Sequence, residues 1–141
     1  MLKGISPIIS PELLKILMEM GHGDEICIGD GNFPAASIAQ RLVRLDGHGV
    51  TEVLDAILAL MPLDTYVEAP VSLMQVVPGD PVVPTIWDDY KAVVKKHEGD
   101  RKIENIERFA FYEKAKKCYA VVATGETAIY ANIILKKGVV K

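Results

Sequence analysis

The sequence predicts an α/β layered fold, with helices on both sides of a mostly buried mixed sheet. Three observations carry this. Short apolar runs such as Glu25 to Gly29 and Cys118 to Ala123 are too brief for helices and read as buried strands. Between them lie longer segments with apolar residues at helical spacing. Glycine and proline punctuate the junctions. Helices alternating with short apolar strands argue for a sheet whose faces are covered.

The elements follow in order. Ser10-Pro11-Glu12 is a helix start: a side-chain oxygen for the N-cap, a proline at the first helical position and an acid in the first turn. Leu13, Leu14, Leu17 and Met18 then fall on one face, and Gly21 stops the helix. Glu25 to Gly29 is a short buried strand. Asn32-Phe33-Pro34 is a turn, followed by a second helix from Ala35 to Arg41. Leu42 to Leu45 fits a strand closed by an Asp46-Gly47 turn. The spacing predicts a helix over 51–61, with Val53, Leu54, Ile57, Leu58 and Met61 on one stripe. Val71 to Val77 reads as a strand ended by Pro78-Gly79. Thr85 to Lys96 is an amphipathic helix with Trp87, Tyr90, Val93 and Val94 inward. Phe109 to Lys117 is a last helix. Cys118 to Ala123 and Asn132 to Leu135 are apolar strands.

At 141 residues the chain fits a single domain over 1–141, since domains run to roughly 100–200 residues. Sixteen basic against nineteen acidic side chains give a net charge of −3, which argues against a nucleic-acid partner. No apolar stretch reaches the roughly 18 residues of a membrane helix. The N-terminal segment has no long apolar run, so no signal peptide is expected. Cys27 and Cys118 sit in apolar runs and read as buried thiols of a reduced, cytoplasmic protein.

Several chemistries find no motif. There is no phosphate loop, no dinucleotide fingerprint and no nucleophile elbow. His22, His48 and His97 are scattered without zinc-ligand spacing. His48 reads as a turn residue and His97 as the end of a surface helix, neither with a catalytic role. The densest polar segment is Gly21 to Pro34. His22 lies there between two glycines, and Asp30 directly follows a strand, where sheet-fold ligands bind. Two readings stand for this segment. A histidine with its ordinary pKa of about 6.5 can shuttle protons at neutral pH; equally, the loop can be a turn with a solvated histidine and a capping aspartate. Arg108-Phe109-Ala110-Phe111-Tyr112 interleaves a guanidinium with rings. It suits a sugar, with its hydroxyls and apolar C–H face, or an amphipathic helix that buries Phe109 and Tyr112. Asp64 serves as a turn residue or a ligand acceptor. Tyr130 and Asn132 lie on one face if extended. The inventory suits proton transfer on a neutral polyol, or simply binding one.

Six ordered segments, taken together, resemble the L-fucose mutarotase family and its relative, the D-ribose pyranases. They are Gly21-His22-Gly23-Asp24-Glu25, Asp30-x-Asn32-Phe33-Pro34, Pro62-Leu63-Asp64-Thr65-Tyr66, Arg108-Phe109-x-Phe111-Tyr112-Glu113, Thr124-Gly125-Glu126, and Tyr130-Ala131-Asn132 through Gly138. The resemblance runs from Leu2 to Val139. It implies a ribose-pyranase-like fold, a homo-oligomer (often a ring) with the sugar site completed at a subunit boundary, and neither metal nor organic cofactor. It implies that His22 and Tyr112 carry the protons, and that Asp30, Asp64, Arg108, Tyr112, Tyr130 and Asn132 hold the sugar. The implied activity is interconversion of the α and β anomers of L-fucose. The alternatives are a pyranose–furanose interconversion of D-ribose and monosaccharide binding without catalysis. Two positions depart from the family's usual pattern. Gly31 replaces alanine and is expected to loosen the loop after Asp30. Ala131 replaces glycine and is expected to constrain the backbone beside the sugar. Arg108 and the Phe111-Tyr112 pair favour the fucose branch.

Overall fold

The computed structural model describes residues 1–141. Helix α1 (Pro11–Glu19) begins as its cap predicts, with the Ser10 hydroxyl accepting the Leu13 N–H at 3.2 Å. Leu13 and Leu17 face inward, but Met18 is exposed and Ile16 is buried in its place. Met18 lies one residue past Leu17, about 100° further round the helix, and leaves the apolar stripe.

Strand β1 (Glu25–Gly29) matches its predicted span. Helix α2 is a single turn (Ala35–Ile38), shorter than the predicted run to Arg41, because Ala39 turns extended and leads into β2 (Leu42–Leu45). Helix α3 (Val50–Leu58) carries the predicted stripe, with Val53, Leu54 and Ile57 fully buried and Leu58 and Met61 nearly so. Strand β3 (Val71–Met74) stops three residues early. Helix α4 (Ile86–Glu98) ends at Gly99, whose φ of 75° suits glycine. Strand β4 (Ile103–Ile106) has no counterpart among the predicted elements. Helix α5 (Arg108–Lys117) is capped by the Glu107 carboxylate, which accepts from the Phe109 and Ala110 N–H groups at 3.0 Å. Strands β5 (Ala120–Thr124) and β6 (Ile133–Lys136) complete the chain.

The six strands form one sheet in the order β2-β5-β1-β6-β3-β4. It is mixed: β6 runs antiparallel to both β1 and β3, and the other pairings are parallel. The period of two sorts side chains onto two cores. Ile26, Ile28, Val122, Ile133 and Leu135 pack with Leu13, Leu54, Ile57 and Tyr90 of α1, α3 and α4. Cys27, Val121, Ile134 and Met74 pack with Phe33, Ala35, Phe111 and Ala115 of the α2 and α5 side. Each large aliphatic side chain so buried contributes about 1.5–3 kcal/mol. Both cysteines are buried and free, as expected. No helix is long and apolar enough to cross a membrane.

The antiparallel pairing of β1 with β6 matters most for function. It places the carboxyl end of β1 beside the amino end of β6, so the polar residues just outside both strands share one edge of the sheet.

Candidate active site

Asp30 follows β1 and Asn132 precedes β6, and the topology sets them side by side. The Asp30 N–H donates to Asn132 Oδ1 at 2.8 Å. That bond orients the amide and leaves its NH₂ free to donate elsewhere. The Asp30 carboxylate accepts from the Asn32 N–H at 3.0 Å and more weakly from the Ala131 N–H at 3.4 Å. Asp30 is only 6% exposed. Burial pushes its carboxyl above the usual range, and the backbone N–H groups partly offset this. Its loop is pinned. The Gly31 N–H donates to the Glu126 carbonyl at 2.8 Å, and a Cβ on residue 31 would sit 3.0 Å from that oxygen. The expected loosening at Gly31 is therefore countered by a direct bond.

Tyr130 adopts a left-handed backbone with φ 56°, rare for a residue with a side chain. Helix α4 holds it there. The Trp87 indole N–H donates to the Tyr130 carbonyl at 2.7 Å, and the buried Tyr90 hydroxyl donates to the Ala131 carbonyl at 2.7 Å. The backbone constraint in this segment thus falls on Tyr130 rather than on Ala131. Arg108 and Tyr112 lie one turn apart on α5, with Arg108 Nε 3.4 Å from the Tyr112 hydroxyl and the guanidinium 5.5 Å from the ring centre. Phe109 is 65% exposed and Phe111 is buried, the reverse of a helix that hides Phe109. Tyr112 packs near Phe33, their ring centres 5.8 Å apart.

Asp30, Arg108, Tyr112, Tyr130 and Asn132 line one cavity of about 250 Å³. Phe33, Met74, Val77 and Ile129 give it an apolar wall, and Asp80 also lines it. A larger groove of about 480 Å³ runs between α3 and α4, bordered by Glu52, Asp55 and Lys96, and holds none of the candidate residues.

His22 and Asp64 lie elsewhere. His22 precedes β1, at the end opposite Asp30. Its loop is fastened to the far end of β6: the Gly23 N–H donates to the Lys137 carbonyl at 2.9 Å, and the Lys137 N–H to the Asp24 carbonyl at 2.8 Å. Leu63 bridges to Lys137, and the Asp64 N–H donates to the Lys136 carbonyl at 3.0 Å. Asp64 Oδ1 then stands 3.0 Å from His22 Nε2 and accepts the Tyr66 N–H at 3.0 Å. The Asp64 side chain is 4% exposed and the His22 side chain 45%. The Tyr66 N–H, helped by His22, holds the Asp64 carboxyl below the usual range. The Arg101 guanidinium braces the Asp64 carbonyl. The result is a half-exposed imidazole oriented through Nε2 by a buried carboxylate. At about 3.3 Å per residue, β1 separates this pair from Asp30 by some 16 Å or more. One chain thus assembles two clusters and does not bring His22 or Asp64 into the cavity.

Residues 3–140 match the RbsD / FucU transport protein family. This chain belongs to that family. It is 57% identical over 140 residues to the L-fucose mutarotase of Actinobacillus pleuropneumoniae serotype 5b (strain L20), covering 99% of this chain and 97% of that one. It is 51% identical to the fucose mutarotase of Homo sapiens, covering 98% and 94%. Its fold superposes on the crystal structure of the Streptococcus pneumoniae fucose mutarotase in complex with L-fucose with a TM-score of 0.96, at 55% identity over 99% of this chain and all of that one.

Within this RbsD / FucU member, the sequence points to the main residues of both clusters but gives no role to Asp80, Tyr66 or Arg101. Asp80 sits in Pro78-Gly79-Asp80-Pro81, which reads only as a turn. Tyr66 was visible inside the Pro62 to Tyr66 segment, and Arg101 had no local signal. His48 pairs with Glu52 at 3.0 Å and His97 with Asp55 at 2.6 Å, both away from the cavity.

Proposed function

We propose that this protein interconverts the α and β anomers of L-fucose. The observation that carries the reading is a sugar-sized polar cavity on one face and an exposed, carboxylate-oriented histidine on another, in a chain so similar to fucose mutarotases. In the cavity, Asp30 accepts sugar hydroxyls, and Arg108 and the Asn132 amide donate to them. The apolar wall of Met74, Val77 and Ile129 suits the methyl group of a 6-deoxy sugar.

Mutarotation moves two protons and makes no net change. A base takes the proton of the anomeric hydroxyl and an acid gives one to the ring oxygen. The bond from C1 to the ring oxygen breaks, the aldehyde rotates, and the reverse transfers close the ring on the other face. His22 Nδ1 serves one oxygen and the Tyr112 hydroxyl the other. The phenol, with one O–H to give, serves as the acid. Such groups contribute about 10²–10⁴-fold each. Asp64 keeps the imidazole in the tautomer that leaves Nδ1 free to accept.

Because β1 separates the clusters, a complete site takes His22 from a second copy docked over the cavity. The exposed apolar side chains support this: Val77, Phe109 and Ile129 stand at or beside the cavity mouth, and Tyr66 stands 5.2 Å from the His22 ring. The protein works as a homo-oligomer in the reducing cytoplasm, in keeping with its free cysteines. NMR magnetisation exchange between the anomeric protons of L-fucose tests the reading, with D-ribose alongside. Acceleration on fucose supports it; acceleration on ribose alone moves the activity to pyranose–furanose exchange; none with either overturns it.

A further inference from the structure

We propose that Asp80 is a positioning residue of the sugar site, one that fixes Tyr130 as a hydrogen-bond acceptor and so selects the hydroxyl pattern the cavity takes. This inference rests on the reading of the cavity as a monosaccharide site.

Asp80 lies in the loop from β3 to α4. One of its oxygens accepts the Val82 N–H at 3.1 Å, which fixes the plane of the carboxylate. The other accepts the Tyr130 hydroxyl at 2.7 Å. A phenol has one proton to give, and here it goes to Asp80. The Val77 N–H approaches the same phenol oxygen at 3.4 Å, too long to engage it fully. Lone-pair density therefore remains for a ligand O–H, and Tyr130 can accept from a sugar but not donate to it.

The backbone makes this arrangement stiff. The left-handed φ of Tyr130 and the Trp87 bond to its carbonyl hold the base of the side chain, and Asp80 holds the tip. The bond to Asp80, reinforced by burial, raises the Tyr130 phenol above its ordinary range, so it stays protonated near neutrality. Tyr130 is then a fixed acceptor, and the phenol whose proton moves is Tyr112. Beside Asp30 the cavity gains a second acceptor at a set direction, opposed by donors on Arg108 and Asn132. A sugar must offer hydroxyl hydrogens to both acceptors at once.

The test compares kcat and KM for L-fucose exchange in the wild type, Asp80→Ala, Asp80→Asn, Tyr130→Phe and the double variant Asp80→Ala/Tyr130→Phe. Loss of one well-aligned hydrogen bond corresponds to about tenfold in affinity. Asp80→Ala is expected to raise KM about tenfold with kcat nearly unchanged. Asp80→Asn, which keeps an acceptor oxygen, recovers most of that loss. In the Tyr130→Phe background, removing Asp80 adds nothing further. Additive losses in the double variant, or a fall in kcat with KM unchanged, overturn the proposal. If the wild type binds L-fucose without speeding exchange, the mutarotase reading fails alone, and Kd from NMR titration replaces KM in the same comparison. A wild type that binds neither L-fucose nor D-ribose overturns both.

Discussion

His22 and Asp30 stand at opposite ends of a single strand, with all five residues of β1 between them. Both cannot face one sugar in one chain. In the proposed site a second copy brings these two ends together, and the first two expectations below test that arrangement.

Removing the imidazole should abolish turnover but leave the cavity intact. His22→Ala is expected to lower kcat by about 10²–10⁴-fold. L-Fucose binding should change less than threefold in an NMR titration. A loss of binding equal to the loss of turnover would instead place His22 among the groups that hold the sugar.

Two broken halves should repair each other. Asp30→Ala and His22→Ala are each expected to be inactive alone. Co-expressed and randomly assembled, about one quarter of the sites combine an intact cavity with an intact histidine. Exchange rates near that fraction of wild type, with separately purified variants inactive, are the expected outcome. No recovery would mean that each chain works from its own residues.

Asp64 links the site to acid stability. Its carboxyl lies below its unfolded value, so it stabilises the fold above the ordinary carboxylate range, and that contribution is lost as pH falls through the depressed value. Asp64→Asn should therefore melt lower than wild type at pH 7, and the gap should close as pH falls below the ordinary carboxylate range. It should also lower kcat without raising KM, because the charge that supports His22 is gone. Thermal melts across this pH range check the first part and exchange kinetics the second.

Trp87→Phe keeps the ring and removes the N–H that serves the Tyr130 carbonyl. A polar group left unsatisfied costs about 1–3 kcal/mol. The variant should melt several degrees lower and show a raised KM, because the left-handed Tyr130 loses its support. An unchanged KM would show that the backbone there holds itself.

Much of this was legible in the residues, and the exceptions have physical reasons. Strand β1 could be read because an apolar run lies between polar and glycine-rich segments. Strand β4 could not. It is an edge strand whose Ile103 and Ile106 alone are apolar, with charged and amide residues between them, and pairing with β3 rather than local propensity makes it a strand. Phe109 and Phe111 are near neighbours on a weakly amphipathic helix, so only packing against Phe33 decides which is buried. Five cavity residues were visible as types. That Asn132 joins Asp30 while Asp64 joins His22 at the other end of β1 depends on the antiparallel β6, a long-range fact. Asp80 was hidden because its partner is fifty residues away.

The bond from Trp87 to Tyr130 has a practical corollary. Trp87 is the chain's one tryptophan, and its N–H ends on Tyr130, which lines the candidate cavity. Its emission is thus a built-in optical gauge of the pocket, readable without a label. Titrating L-fucose while exciting the indole should give a saturable change in intensity or wavelength, and the same signal should be blunted in Tyr130→Phe. Occupancy could then be followed in one cuvette, on the unmodified protein.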